Sequence, residues 1–315
     1  YTVKDTLSLH DALPISTLFG LATSLGLGAS QAAAGLSHLF GIPNGDPTKV
    51  FLVMGITAVA LVSILLGVDK GVRRLSEINL VLAALLLLFV IAVGPTLLIA
   101  TDFFKNLLAY FQYLPALSNP FGREDANYSQ GWTAFYYAWW IAWSPFVGMF
   151  IARVSRGRTV REFLIAVLLI PSAVSVLWMT AMGGTALELY LGQGVESIKD
   201  AALELQLFMM LEQLPLAAIT SFIGITLVLV FFITSSDSGS LVIDTITAGG
   251  KVDAPRSQRI FWAIIEGAIA IALLLGGGLE ALQAMAVSFG LPFTVILLAG
   301  CYSIVKGLMS EPRSH

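Results

Sequence analysis

"FYYAWWIAWSPF", residues 135–146, sets three tryptophans and two tyrosines within twelve residues of a chain that has six tryptophans in all. At 3.6 residues per turn each residue advances about 100°. On that winding Trp132, Phe135, Tyr136, Trp139, Trp140, Trp143, Phe146 and Phe150 share a sector of roughly 140°, and Tyr137 points away. The apolar run that carries the stripe covers residues 131–152, with its middle between Ile141 and Ala142. A belt of aromatic residues at a membrane surface would account for Trp132 and Tyr136 as readily as a functional wall does. It accounts poorly for Trp139, Trp140 and Trp143, which lie too deep. Ordinary packing between membrane helices favours small residues, not indoles.

Composition places the whole chain in the same setting. It is 57% hydrophobic and 12% charged, with a mean hydropathy of +0.85, where a soluble domain is about 25% charged. Apolar stretches recur at residues 17–40, 50–67, 77–99, 131–152, 163–183, 213–235, 259–276 and 284–305, most of them near the roughly 20 residues that a bilayer crossing requires. Backbone polar groups must be satisfied internally in lipid, and these runs lack the alternation of a barrel strand. The expected fold is all-α, a polytopic membrane protein of eight spans.

Lys and Arg alternate between successive loops. Lys49 follows the first span, then Lys70, Arg73 and Arg74 the second, Lys105 and Arg123 the third, and Arg153, Arg156, Arg158 and Arg161 the fourth. Lys199 alone follows the fifth span; Lys251, Arg256 and Arg259 follow the sixth; no basic residue follows the seventh; Lys306 and Arg313 close the chain. With the rich loops cytoplasmic, both ends lie inside and the Arg153–Arg161 cluster is an orientation signal. The membrane expected is the bacterial inner membrane.

Residues 6–15, TLSLHDALPI, are the codon-by-codon translation of a common sequencing-adapter oligonucleotide. Residues 1–16 are therefore expected to be non-native, with a transporter-like membrane segment over 17–309 and a tail remnant over 310–315. The chain is then expected to be a fragment extending upstream in its natural form.

Other signals exclude functions. A net charge of −3 with no basic run gives nucleic acid no purchase, and the single cysteine, Cys301, precludes an internal disulfide. No His and Cys cluster has metal-ligand spacing, and Ser, His and Asp fall into no hydrolase pattern. The sequence contains no enzyme signature and calls for no cofactor. The segment 102–117, DFFKNLLAYFQYLPAL, reads as an interfacial amphipathic helix.

Indole faces at the bilayer midplane suit a cation that cannot donate hydrogen bonds. A quaternary ammonium gains about 2 kcal/mol or more from each desolvated ring face, without an acidic partner. Pro145, just inside the stripe, removes the hydrogen bond that the Ile141 carbonyl would accept and allows a bend. Bent or broken helices near the midplane are where transporters hold substrates.

These residues carry a resemblance. "WTAFYYAWWIAWSPFVGMFIARVSRGRTVREF", residues 132–163, resembles the signature helix and following loop of the betaine/choline/carnitine transporter family. "FFITSSDSGSLVID", 231–244, and "TLFGLATSLGLGASQAAAGLSHLFGIP", 17–43, are similar to two further helices of that family. The resemblance implies the fifth to twelfth helices of a twelve-helix, inverted-repeat transporter of the leucine-transporter type. It implies that Trp139, Trp140 and Trp143 line an ammonium site and that Phe135, Phe146 and Phe150 lie along the path. It further implies a sodium site at the hydroxyls of Thr234 and Ser235 with the Phe231 carbonyl, although both hydroxyls suit simple bonds back to carbonyls one turn earlier. At a second family sodium site Thr17 matches one position, but Leu21 supplies no oxygen. A homotrimer contact through 102–117 is implied as well.

The expected function is sodium-coupled import of a betaine- or choline-like osmolyte, a small quaternary-ammonium or sulfonium zwitterion. Open alternatives are a sodium-independent exchanger of the carnitine type, a sodium symporter for another small zwitterion, and a membrane protein without coupled transport. In a fragment, the small residues Gly26, Gly28, Ala32 and Gly35 are expected to face lipid, where absent helices would have packed.

Overall fold

The computed structural model describes the backbone of residues 3–66, 69–155, 157–251 and 255–310. Among these residues all regular structure is helical. The long elements are α1 (Val3–Phe40), α2 (Asp46–Leu66), α3 (Asp69–Val93), α4 (Thr96–Ser118) and α5 (Phe135–Val154), the last entered through a π-helical segment, Asn127–Ala134. Then come α6 (Val160–Leu164) and α7 (Ile170–Leu187), made continuous by the π-helical residues Ile165–Leu169 and extended by Glu188–Gly192. Two short helices, α8 (Ser197–Asp200) and α9 (Gln206–Glu212), precede α10 (Ala217–Thr247) and α11 (Arg256–Ser310).

Among the described residues six helices are long and apolar enough to cross a membrane: Leu13–Phe40, Asp46–Leu65, Arg73–Val93, Val160–Gly192, Ala217–Thr247 and Arg256–Ser310. The eight spans read from the sequence differ from these six at two places. The aromatic helix α5 is not among them, and the seventh and eighth spans are two limbs of α11. The limbs meet at Gly277 (φ 175°, ψ 10°) and Gly278 (φ 59°, ψ −133°), the second of which occupies a left-handed conformation that costs glycine little. The kink takes two residues where a loop of several was expected.

Two other boundaries move for identifiable reasons. The third span, expected to reach residue 99, ends at Val93, because Pro95 has no N–H with which to continue the ladder. Thr96 caps the break, its hydroxyl donating to Ile91 O at 2.6 Å and its N–H to Gly94 O at 2.8 Å. The helix that restarts is α4, which contains the expected amphipathic segment and docks on α7 through Asn106 Nδ2, donating to Thr180 Oγ1 at 3.2 Å. The sixth span, expected over 213–235, runs instead to Thr247. Its polar second half, SSDSGS, stays helical and buried because its side chains find partners on neighbouring helices. Ser236 Oγ donates to Glu266 Oε2 on α11 at 3.2 Å, and Asp237 pairs with Arg259.

The core is built on α1, which packs against α2, α5, α10 and α11. Ala22, Leu25 and Ala29 of α1 meet Val53 and Ile56 of α2 and Ala270, Leu274 and Leu282 of α11 in one buried cluster. A second cluster joins Leu86 and Val90 of α3, Met182 of α7, and Met210 and Leu211 of α9. The small-residue face of α1 is where the sequence reading fails. Gly26, Gly28, Ala32 and Gly35 do not face lipid: a Cβ on Gly28 would lie 1.9 Å from Phe232, one on Gly26 2.7 Å from Leu282 and one on Gly35 2.4 Å from Phe208, and Ala32 is fully buried. The absence of side chains here lets α10, α11 and α9 close onto α1 within the chain itself.

Some sequence expectations lie outside the described residues. These are Gly67 at the end of the second span, the orientation residues Arg156 and Arg313, and the side chains of Phe150, His10, Asp11, Lys70 and Arg153.

Candidate functional site

The aromatic stripe stands on α5, one flank of which rests on α1. Contact is close because Gly20 of α1 meets the Trp143 ring, a Cβ there lying 2.9 Å from Trp143 Cδ1. Fully buried Ala142 and largely buried Ala138 complete the small-residue seam on the α5 side. On the other flank Gly290 of α11 sits on Ala138, with room for no Cβ.

One turn beyond Gly20, Ser24 ties the two helices together. Trp139 Nε1 and Trp143 Nε1 each donate to Ser24 Oγ at 3.1 Å. The Ser24 hydroxyl donates in turn to Gly20 O at 3.0 Å, and Trp139 Nε1 also lies 3.2 Å from Gly20 O. Two indoles four residues apart are therefore locked to one oxygen. With their N–H groups consumed inside the protein, what they can offer a ligand is the π surface.

The rings divide the stripe. Phe135 is buried and stacks on Trp139, centroids 5.3 Å apart and planes 14° from parallel. Tyr136 meets Trp139 edge-on at 5.7 Å and lies tilted against Trp132 at 6.0 Å, with planes 37° apart, and Trp143 meets Phe146 edge-on at 5.6 Å. Trp132, Phe135, Tyr136 and Trp139 thus form one cluster, and Trp143 and Phe146 a second, joined through Ser24. Trp140 turns away from α1 and is 72% exposed. The uniform winding assumed for the eight-residue sector does not hold at Trp132, which lies on the π-helical segment Asn127–Ala134.

Pro145 removes an N–H from the ladder in the middle of this wall, and Ser144 answers the loss. Its hydroxyl donates to Ile141 O at 2.7 Å, the carbonyl that residue 145 would otherwise have served. Neither Ser24 nor Ser144 emerged from the sequence as a site residue. The available signal was a hydroxyl one turn from a glycine in an otherwise apolar helix, and a serine directly before a helical proline.

The expected sodium ligands lie together on α10. Thr234 Oγ1 donates to Phe231 O at 2.9 Å, so two of the three oxygens share one turn, and Ser235 is adjacent and half-buried. This is the local carbonyl bond that threonine habitually makes in a helix; it also groups oxygen donors of the kind a hard cation prefers. Thr17 is fully buried and donates to Leu13 O at 2.9 Å. Leu21 packs on Gly239 of α10, closing the second position to any ion.

A bundle of long apolar helices, with a wall of anchored indoles on a helix that contains a proline, is that of a polytopic membrane protein. The comparisons agree: the model for the betaine/carnitine/choline family of transporters matches residues 9–313, and the chain belongs to that family. It is 67% identical over 299 residues to a glycine betaine/proline/choline transporter of Vibrio parahaemolyticus, covering 95% of this chain and 54% of that protein. It is 51% identical over 308 residues to a glycine betaine/proline/choline/ectoine transporter of the same organism, covering 96% of this chain and 54% of the relative. It is 42% identical over 301 residues to the glycine betaine transporter OpuD of Bacillus subtilis, covering 95% and 59%. The chain spans a little over half the length of these relatives.

Proposed function

We propose that this chain supplies the anchored aromatic wall of a secondary transporter for a quaternary-ammonium osmolyte of the betaine or choline kind. The observation that carries the reading is the double hydrogen bond to Ser24, which commits two indoles to present ring faces. Such faces bind a trimethylammonium head and would serve a hydrogen-bonding solute poorly. The names of the relatives, which are transporters of glycine betaine, proline and choline, point the same way.

In this reading α5 and both limbs of α11 each cross the bilayer, giving eight crossings in the inverted-repeat arrangement. The Arg- and Lys-rich loops face the cytoplasm, the protein resides in a bacterial inner membrane, and α4 lies at its outer surface, where it contacts neighbouring copies in a trimer. Sodium drives uptake, bound by Thr234, Ser235 and the Phe231 carbonyl as hard oxygen donors. The Thr234 bond to Phe231 favours a second reading, in which α10 uses its hydroxyls only to satisfy its own backbone and transport proceeds by sodium-independent exchange.

The experiment is uptake of radiolabelled betaine and choline by cells expressing a chimera in which this chain replaces the matching part of the 67%-identical Vibrio protein. Saturable uptake, with a half-saturating sodium concentration raised by Thr234→Ala and Ser235→Ala together, supports sodium symport. Equal uptake in sodium-free medium transfers the assignment to exchange, and no saturable uptake of either solute removes the substrate proposal.

A further inference from the structure

The polar run of α10 divides by direction. Thr234 and Ser235, the residues that group the candidate cation oxygens, are half-buried. The next two residues, Ser236 and Asp237, are buried and turn to α11. Ser236 Oγ donates to Glu266 Oε2 at 3.2 Å, and Asp237 Oδ1 accepts from Arg259 Nη2 at 2.5 Å. Ser63 Oγ of α2 also donates to Asp237, at 3.0 Å.

Arg259 and Glu266 stand seven residues apart, a spacing that returns a helix to nearly the same face after a rise of about 10.5 Å. Adjacent residues of α10 are thus tied to one face of α11 at two heights. Apolar packing alone lets a helix roll about its axis, whereas polar ties at neighbouring positions, about 100° apart, oppose the roll. A roll of about 20° would carry an oxygen held about 4.5 Å from the axis through roughly 1.5 Å. A ligand set has to be held within about 0.5 Å.

Glu266 is the member of this set that packing least explains. It is 1% exposed and lies in the middle of the apolar run 259–276, where an acidic residue is expensive and marks a functional position. Ser236 is the one hydrogen-bond partner it has among the described residues. We infer that Glu266 is a positioning residue for the cation ligands of α10. By holding Ser236 it sets the roll of α10, and so the direction in which the oxygens of Thr234 and Ser235 project. The inference rests on the sodium reading of those two residues and names the side chain on α11 that keeps them in place.

The test measures sodium binding to the purified chimera in lipid nanodiscs, by the rise of its thermal midpoint in sodium chloride over the same concentration of potassium chloride. Glu266→Leu should raise the half-effective sodium concentration by about tenfold. Glu266→Gln, which keeps an oxygen for Ser236 to donate to, should stay near the native value. Ser236→Ala removes the same bond from its other end and should match Glu266→Leu, so the question is answered even where the leucine variant does not fold. An unchanged half-effective concentration in Ser236→Ala, or a glutamine variant as impaired as the leucine one, overturns the positioning role and leaves the sodium reading in place. Thr234→Ala with Ser235→Ala marks the other failure. If that pair leaves the sodium response intact, or the native chimera has none, the sodium reading falls and the positioning role falls with it.

Discussion

Ser24 accepts a 3.1 Å hydrogen bond from Trp143 Nε1, and the same oxygen takes Trp139 Nε1 at 3.1 Å. One hydroxyl on α1 therefore sets the orientation of two rings on α5. Ser24→Ala leaves Trp143 without that acceptor, whereas Trp139 retains Gly20 O at 3.2 Å. An unmet buried donor costs about 1–3 kcal/mol. The thermal midpoint should fall, and in the chimera the half-saturating betaine concentration should rise because the ring faces lose their fixed angle. An unchanged midpoint with unchanged uptake would remove Ser24 from the site.

Trp140 separates binding from stability. It is 72% exposed, so Trp140→Leu should change stability by no more than about 0.5 kcal/mol, as at other exposed positions. Loss of one exposed ring face is worth about 0.5–1 kcal/mol, or roughly two- to fivefold in the half-saturating concentration. Trp140→Phe should be milder. Uptake titrations of the chimera decide the matter, and indifference to leucine at both Trp139 and Trp140 would refute the aromatic wall.

Gly28 tests the core of α1. A Cβ there would lie 1.9 Å from the Phe232 ring, so Gly28→Ala must displace the ring, at a cost of about 1–3 kcal/mol. Adding Phe232→Leu should recover part of that loss. If Gly28→Ala is neutral in thermal unfolding, α1 and α10 are not in contact at this point.

Ser144 and Pro145 should be coupled. Ser144→Ala leaves the Ile141 carbonyl without its 2.7 Å donor and should lower stability by about 1 kcal/mol. In the Pro145→Ala background a backbone N–H is available for that carbonyl, and the serine substitution should then cost much less. Additive losses in the two backgrounds would show that Ser144 acts elsewhere.

Membrane residence, helical class and the aromatic face of α5 were legible in the sequence because each rests on local quantities. Hydropathy over about 20 residues and a 100° advance need no knowledge of neighbours. The family was legible too, in the motifs of residues 132–163 and 231–244. Pro145 announced a break in the ladder, though not the serine that answers it.

Which helix lies beside which was decided by tertiary structure. Gly26, Gly28 and Gly35 look alike whether they face lipid or a phenylalanine, and only the approach of α10, α11 and α9 made them core. The polar run after Ser235 resembles a helix end by hydropathy, yet α10 continues to Thr247 because Glu266 and Arg259 arrive from α11 to meet Ser236 and Asp237. Ser24 became the anchor of two tryptophans for the same reason, its partners lying 115 and 119 residues away along the chain. Local composition and winding made each helix what it is; the satisfaction of buried polar groups across helix interfaces set how far each runs and which side chains it holds, since an unmet donor or acceptor in the membrane costs too much to be left so.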